Sequence, residues 1–180
     1  MVVCKDAAMA EKLRALRNHG GERRYYHKMI GGNFRLDALQ AAVLAIKLPY
    51  LDSWSAQRRV NAALYHKGFA EAGLDKILTL PTEPYAASGL PNHHIFNQFV
   101  VRAPRRDELC EHLGKAQIGH AIYYPLPLHI QGCFADLGYK PGDFPEAERA
   151  AKETLALPIF PELTPEQIQA VVDAIAAFYR

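Results

Sequence analysis

Two short stretches concentrate the residue types that can do chemistry. In the first, GGNFRLD at 31–37, a glycine pair leads through Asn33 into an apolar helical pattern. Glycine permits close backbone approach, and a helix N-terminus presents N–H groups that favour an anion, so Asn33 is a candidate phosphate contact. Asparagine is equally a good N-cap, a role that needs no ligand. Spacing alone leaves both uses open. In the second stretch, IYYPLPLHIQGCF at 122–134, Tyr123, Tyr124 and His129 stand around two prolines that stiffen the backbone. Such a loop can hold a phenol and an imidazole in place for hydrogen bonding to a hydroxylated ligand. A proline-rich turn with aromatic packing is the competing explanation.

Other chemistries lack their signatures. There is no GxGxxG or GxxxxGK[ST] loop, no GxSxG elbow and no HExxH helix. The histidines His19, His27, His66, His93, His94, His112 and His120 show no metal-ligand spacing, and Cys4, Cys110 and Cys133 stand far apart with no CxxC pair. No metal site is expected. Asp143 and Glu146, in PGDFPEAE, are expected to cap a helix near 145 rather than act as acid and base. A formal charge of +2, with 22% charged and 49% hydrophobic residues, fits a globular protein and gives no sign of a nucleic-acid partner. The basic and aromatic cluster ERRYYHK at 22–28 is expected to be a solvated loop. No apolar run approaches the roughly 18 residues of a membrane span. The start, MVVCKDAAMAEKL, lacks a signal peptide's apolar region, so a reducing cytoplasm is the expected location.

The elements that must position these residues follow from periodicity. MVVC is expected as a short buried strand, so that the chain looks cut from something longer, and DAAMAEKLRALRNHG as a helix capped by Asp6 and stopped by Gly20. Leu36, Leu39, Val43 and Ile46 mark a helix over about 35–48; Pro49 suits the first turn of the next, which runs through Trp54, Val60, Leu64, Tyr65 and Phe69 to about Gly73. The proline-rich stretch 79–92 is expected to be a linker between domains. Strand 93–102, helix 105–116, strand 118–125, a helix near 145–155, extended LALPIF and a final helix after Thr164 then describe a small α+β or α/β unit. Thr164 with Gln167 forms a capping-box signature.

Five ordered motifs carry a resemblance across essentially the whole chain: LRALRNHG, GGNFRLDALQAAVLAIKLPYLDSW, FNQFVVRAPRRDEL, IYYPLPLHIQGCFADLGY and ALPIFPEL. Together they resemble the DegT/DnrJ/StrS sugar aminotransferase family, in its C-terminal half. The resemblance implies the C-terminal part of a fold type I transferase dependent on pyridoxal 5′-phosphate. Long interface helices are followed by a small sheet covered by helices: residues 1–78 would form the edge of the large domain and 79–180 the small domain.

It also implies transfer of an amino group, usually from glutamate, onto a nucleotide-linked keto sugar for polysaccharide, O-antigen or antibiotic sugar biosynthesis. Asn33 would reach the cofactor phosphate held by a second subunit of a homodimer, or by a chain supplying the N-terminal half. Tyr123, Tyr124 and His129 would face the sugar, with His27 on the adjoining interface loop. His120 departs from the family, which often carries a small hydroxyl residue there. The lysine that forms the Schiff base belongs upstream of the matched segment, and Lys5 falls after that site; no catalytic residue is assigned, and the isolated chain is expected to be inactive. The alternative is a noncatalytic truncated or pseudoenzyme interaction module.

Overall fold

The computed structural model describes residues 2–23 and 25–180, apart from the side chain of Glu22. The chain falls into two compact units, 1–49 and 50–180.

The first unit opens with helix α1, Ala7–Arg17, where the Asp6 carboxylate accepts from the Met9 N–H at 2.6 Å. Val2–Cys4 belong to neither helix nor strand, contrary to the expected N-terminal strand, whose first residue lies outside the described ones. The expected loop at 22–28 contains a small hairpin, β1 (Gly21–Arg23) against β2 (Tyr26–His27). Helix α2 spans Ala38–Lys47 with Asp37 at its N-cap. Asn33 therefore does not cap it. None of its residues is buried, and Leu39 is 84% exposed.

In the second unit, helix α3 (Leu51–Glu71) follows a short turn over Leu48–Tyr50 that holds Pro49. Strand β3 (Phe99–Arg102) pairs antiparallel with β4 (Thr154–Leu157), Phe99 opposite Leu157 and Arg102 opposite Thr154. Helices α4 (Arg106–Lys115), α5 (Pro145–Glu153) and α6 (Pro165–Tyr179) complete the layer over the sheet. Alternation puts Phe99 and Val101 into the core, where Phe99 stacks on Tyr65 at 4.8 Å. Gly68 lets α3 approach α6, since a Cβ there would stand 3.0 Å from the Val172 methyl. The capping box at Thr164 is formed on both sides.

One face of α3 stitches the chain after β4. Arg58 donates to the Ile159 carbonyl at 2.7 Å, Asn61 to Phe160 at 2.8 Å and Tyr65 to Pro158 at 2.9 Å. Burial pushes the Tyr65 phenol well above its usual range, so it remains a donor. Arg106 is buried with its guanidinium on the carbonyls of Ala151 and Thr154, which caps the end of α5. Leu74 and Leu78 join the same core, and Thr79 forms a bridge with Arg102, so residues 79–92 start from this core.

Both long strands expected from sequence are shorter. The segment 93–98 is irregular, with Phe96 buried at φ 45° and its N–H donated to His94 Nδ1, so only 99–102 pairs. The segment 118–125 keeps a single bridge, Ala121 with Ala156, before Pro125 and Pro127 remove backbone donors. Asp143 and Glu146 do not cap α5: Phe144 holds the N-cap position, Asp143 accepts from the Lys140 N–H and Glu146 pairs with Arg149.

Candidate functional site

In the first unit, the glycines before Asn33 serve the backbone of their own fold. Gly31 packs on the turn after α1 so closely that a Cβ would stand 2.4 Å from the Gly20 nitrogen, and Gly20 itself has φ +72°. The Gly32 and Phe34 N–H groups donate to the carbonyls of Leu16 and Arg17, acceptors that the end of α1 leaves open. Asn18 and Asn33 form a bridge. The Gly32 and Phe34 amides are thus engaged, while Asp37 at the N-cap of α2 makes no side-chain cap hydrogen bond. What remains is the Asn33 carboxamide, exposed and without a hydrogen-bond partner among the described residues. Its donor set fits one contact to a phosphate rather than a whole phosphate cup. Sequence reasoning passed over Arg35 in the same motif, which is equally exposed. His27 contacts the His19 carbonyl through Nδ1 at 2.9 Å; a carbonyl only accepts, so Nδ1 carries a proton and Nε2 is left free.

In the second unit, the loop after residue 121 divides between two cavities. Tyr123 lines one of about 290 Å³ together with Asn97, Gln98 and His120. His120 directs Nδ1 to the Ile118 carbonyl at 3.0 Å. His129 lines a separate, almost wholly apolar cavity of about 470 Å³ with Leu128, Phe134, Leu137, Tyr139 and Phe144. Tyr124 is 74% exposed and lines neither. The His129 side chain is largely buried, its ring 4.9 Å from that of Phe144 and its Nε2 3.0 Å from Glu148 Oε1.

That same oxygen of Glu148 accepts from the Gly142 N–H at 2.6 Å, and this bond, with the one from His129, holds the carboxyl below its usual range. Sequence reasoning missed Glu148. The signal available was its place on the inner side of an acidic first turn, but Asp143 and Glu146 offered the same composition. Among the described residues no three His, Cys, Asp or Glu side chains cluster as metal ligands, and no helix is long and apolar enough to cross a membrane.

This antiparallel strand pair covered by helices belongs to a fold shared with solved aminotransferases. The structure of S. venezuelae DesV in complex with a ketimine intermediate matches 98% of this chain and 45% of its own, with TM-score 0.84 and 38% identity. An aminotransferase from Brucella abortus matches 96% and 44%, with TM-score 0.81 and 31% identity. The chain belongs to the DegT/DnrJ/EryC1/StrS aminotransferase family, whose model matches residues 1–176. Enzymes of this family work with pyridoxal 5′-phosphate.

Among curated relatives, the "pleiotropic regulatory protein" of Geobacillus stearothermophilus is 50% identical over 100% of this chain and 47% of its own length. The dTDP-3-amino-3,4,6-trideoxy-alpha-D-glucose transaminase of Streptomyces venezuelae is 40% identical over 97% and 44%. The chain spans about half the length of the curated relatives it matches.

Proposed function

We propose that this chain is the C-terminal portion of a pyridoxal-phosphate-dependent aminotransferase acting on a nucleotide-linked keto sugar, with glutamate as a fitting amino donor. The observation that carries it is the family match over residues 1–176, which includes relatives named for transamination of dTDP- and UDP-sugars. When bound, the cofactor supplies an electron sink that lets an amino group pass between carbons. In this reading the large domain's edge is 1–78 and the small domain is 79–180. The lysine that would hold the cofactor covalently belongs to the other half of the enzyme, so the chain alone does not transaminate. It works in the cytoplasm.

The residues of this chain bind and orient. Asn33 donates its carboxamide protons to the cofactor phosphate held by a second subunit or by a chain with the N-terminal half. Its lack of any other partner supports this. The apolar face of α2, with Leu39, Val43 and Ile46 exposed and Leu36 exposed just before it, supports burial against such a chain. Tyr123 and Tyr124 present phenols to the sugar, His129 stands on the same loop, and His27 offers Nε2 from the interface.

The test is to supply the lysine-bearing half and titrate cofactor against Asn33→Ala. Loss of one hydrogen bond to a charged oxygen predicts affinity weakened about tenfold or more. Unchanged affinity would remove Asn33 from the site. The half-identical relative named as a regulatory protein supports a second reading, a noncatalytic interaction module. Amino transfer by the completed enzyme would exclude it.

A further inference from the structure

Residues 122–143 form a long segment between the Ala121 bridge and α5. Its backbone hydrogen bonds are all local: Ile130 to Pro127, Gln131 to Leu128, Phe134 to Gln131, Gly138 to Ala135 and Asp143 to Lys140. The Lys140 N–H also stays within it, on Asp143. Among the described residues, the hydrogen bonds that join this segment to anything outside it are the two received by Glu148 Oε1, from His129 Nε2 and from the Gly142 N–H. These two donors come from well-separated parts of the segment and meet at one carboxylate oxygen, and His129 also lines the apolar cavity. The segment holds only short 3-10 turns, Leu128–Ile130 and Gly132–Leu137, so a chain this long still has many conformations to lose, and tethers at residues 129 and 142 remove many of them.

We infer that Glu148 is the positioning residue of the 122–143 segment. From the first turn of α5 its carboxylate fixes His129 and the 138–142 turn together, and so sets where the 122–143 segment presents Tyr123 and Tyr124. The inference deepens the proposed function and rests on it for the role of those phenols. Because a carboxylate only accepts, His129 must carry a proton on Nε2, and Nδ1 is the nitrogen left to a ligand. Phe144 closes the arrangement, with its ring against both His129 and Tyr139.

Hydrogen exchange and imidazole ¹⁵N shifts of the 180-residue chain test this with Glu148→Ala and Glu148→Gln. The expected order of exchange at Gly142 is wild type slowest, Gln intermediate because its carbonyl still accepts, and Ala fastest by about tenfold. The α6 amides should not change. His129 should show a proton fixed on Nε2 in the wild type and a tautomer mixture in Glu148→Ala. Equal Gly142 exchange in all three would overturn the inference, as would Glu148→Ala accelerating α6 to the same degree, which is the mark of a merely structural residue. If Glu148→Ala does not fold, the Gln variant decides alone by the same two readouts. Neither involves sugar or cofactor, so failure here leaves the aminotransferase reading standing, and failure of that reading leaves the tether measurable.

Discussion

The loops 79–98 and 122–143 are each held by a histidine against a glutamate, but the two pairs are wired differently. Glu83 and His93 both belong to their loop, 2.7 Å apart, so the bond closes the loop on itself. Glu148 lies outside its loop and ties it to a helix. The first loop is also anchored to α3: Asn92 is held between Asp52 and Arg59, and Arg58 reaches the carbonyls of Phe96 and Asn97. Among the described residues, the second has no such reserve of hydrogen bonds. One loop is therefore fastened redundantly, and the other depends on a single carboxylate.

Both loops grow from one core, so the largest effect should erase the contrast. Phe99→Ala removes the fully buried ring against which Tyr65, Phe69 and Phe96 pack. A loss of about 3–5 kcal/mol in urea unfolding is expected, with both loops exchanging faster together. A loss under 1 kcal/mol would mean that the loops do not share this foundation. Next in size is the specific comparison. Glu148→Ala should loosen 122–143 about tenfold in hydrogen exchange, whereas His93→Ala should loosen 83–93 only about threefold because the anchors on α3 remain. Equal loosening would show that the reserve bonds contribute nothing.

How much of this was legible in the sequence depended on how far each signal reached along the chain. The helices and the caps of α1 and α6 were readable, because Asp6 with Met9 and Thr164 with Gln167 are local pairs and the apolar period is set by the helix itself, whereas the caps expected from Asn33, Asp143 and Glu146 were not found. The strands were overread. FNQFVVR has strand composition throughout, but Phe96 turns into the core at positive φ, which only the packed unit dictates. At the candidate site the residue types were legible and their wiring was not. GGN reads as a phosphate mouth; that its glycines and the Gly32 and Phe34 amides also dock on the end of α1 is a contact across sequence that periodicity cannot show. Tyr123 and His129 lie close in sequence and line different cavities, because two prolines and the Glu148 tether separate them.

The smallest expected effect is the sharpest division between the loops, since pH should loosen them in opposite directions. His93 directs Nδ1 at the Leu90 carbonyl at 2.9 Å and Nε2 at Glu83, two acceptors that only an imidazolium can satisfy at once. The Leu90 carbonyl and then Glu83 raise its pKa, while partial desolvation and Arg59 oppose them. The stabilisation is thus fully present below the unfolded value of about 6.5 and is lost as pH rises through the raised folded value. Glu83 also faces His66, but there burial dominates and lowers the pKa, so His66 does not reinforce the clasp at neutral pH. Glu148 behaves conversely: its depressed pKa gives stabilisation present above about 4.3 and lost as pH falls through the lowered folded value. Exchange rates corrected for intrinsic pH dependence should therefore rise for 83–93 on the alkaline side and for 122–143 on the acid side. Glu83→Gln should weaken the first response and leave the second intact. Should both loops loosen on the same side, the difference in wiring has no energetic consequence.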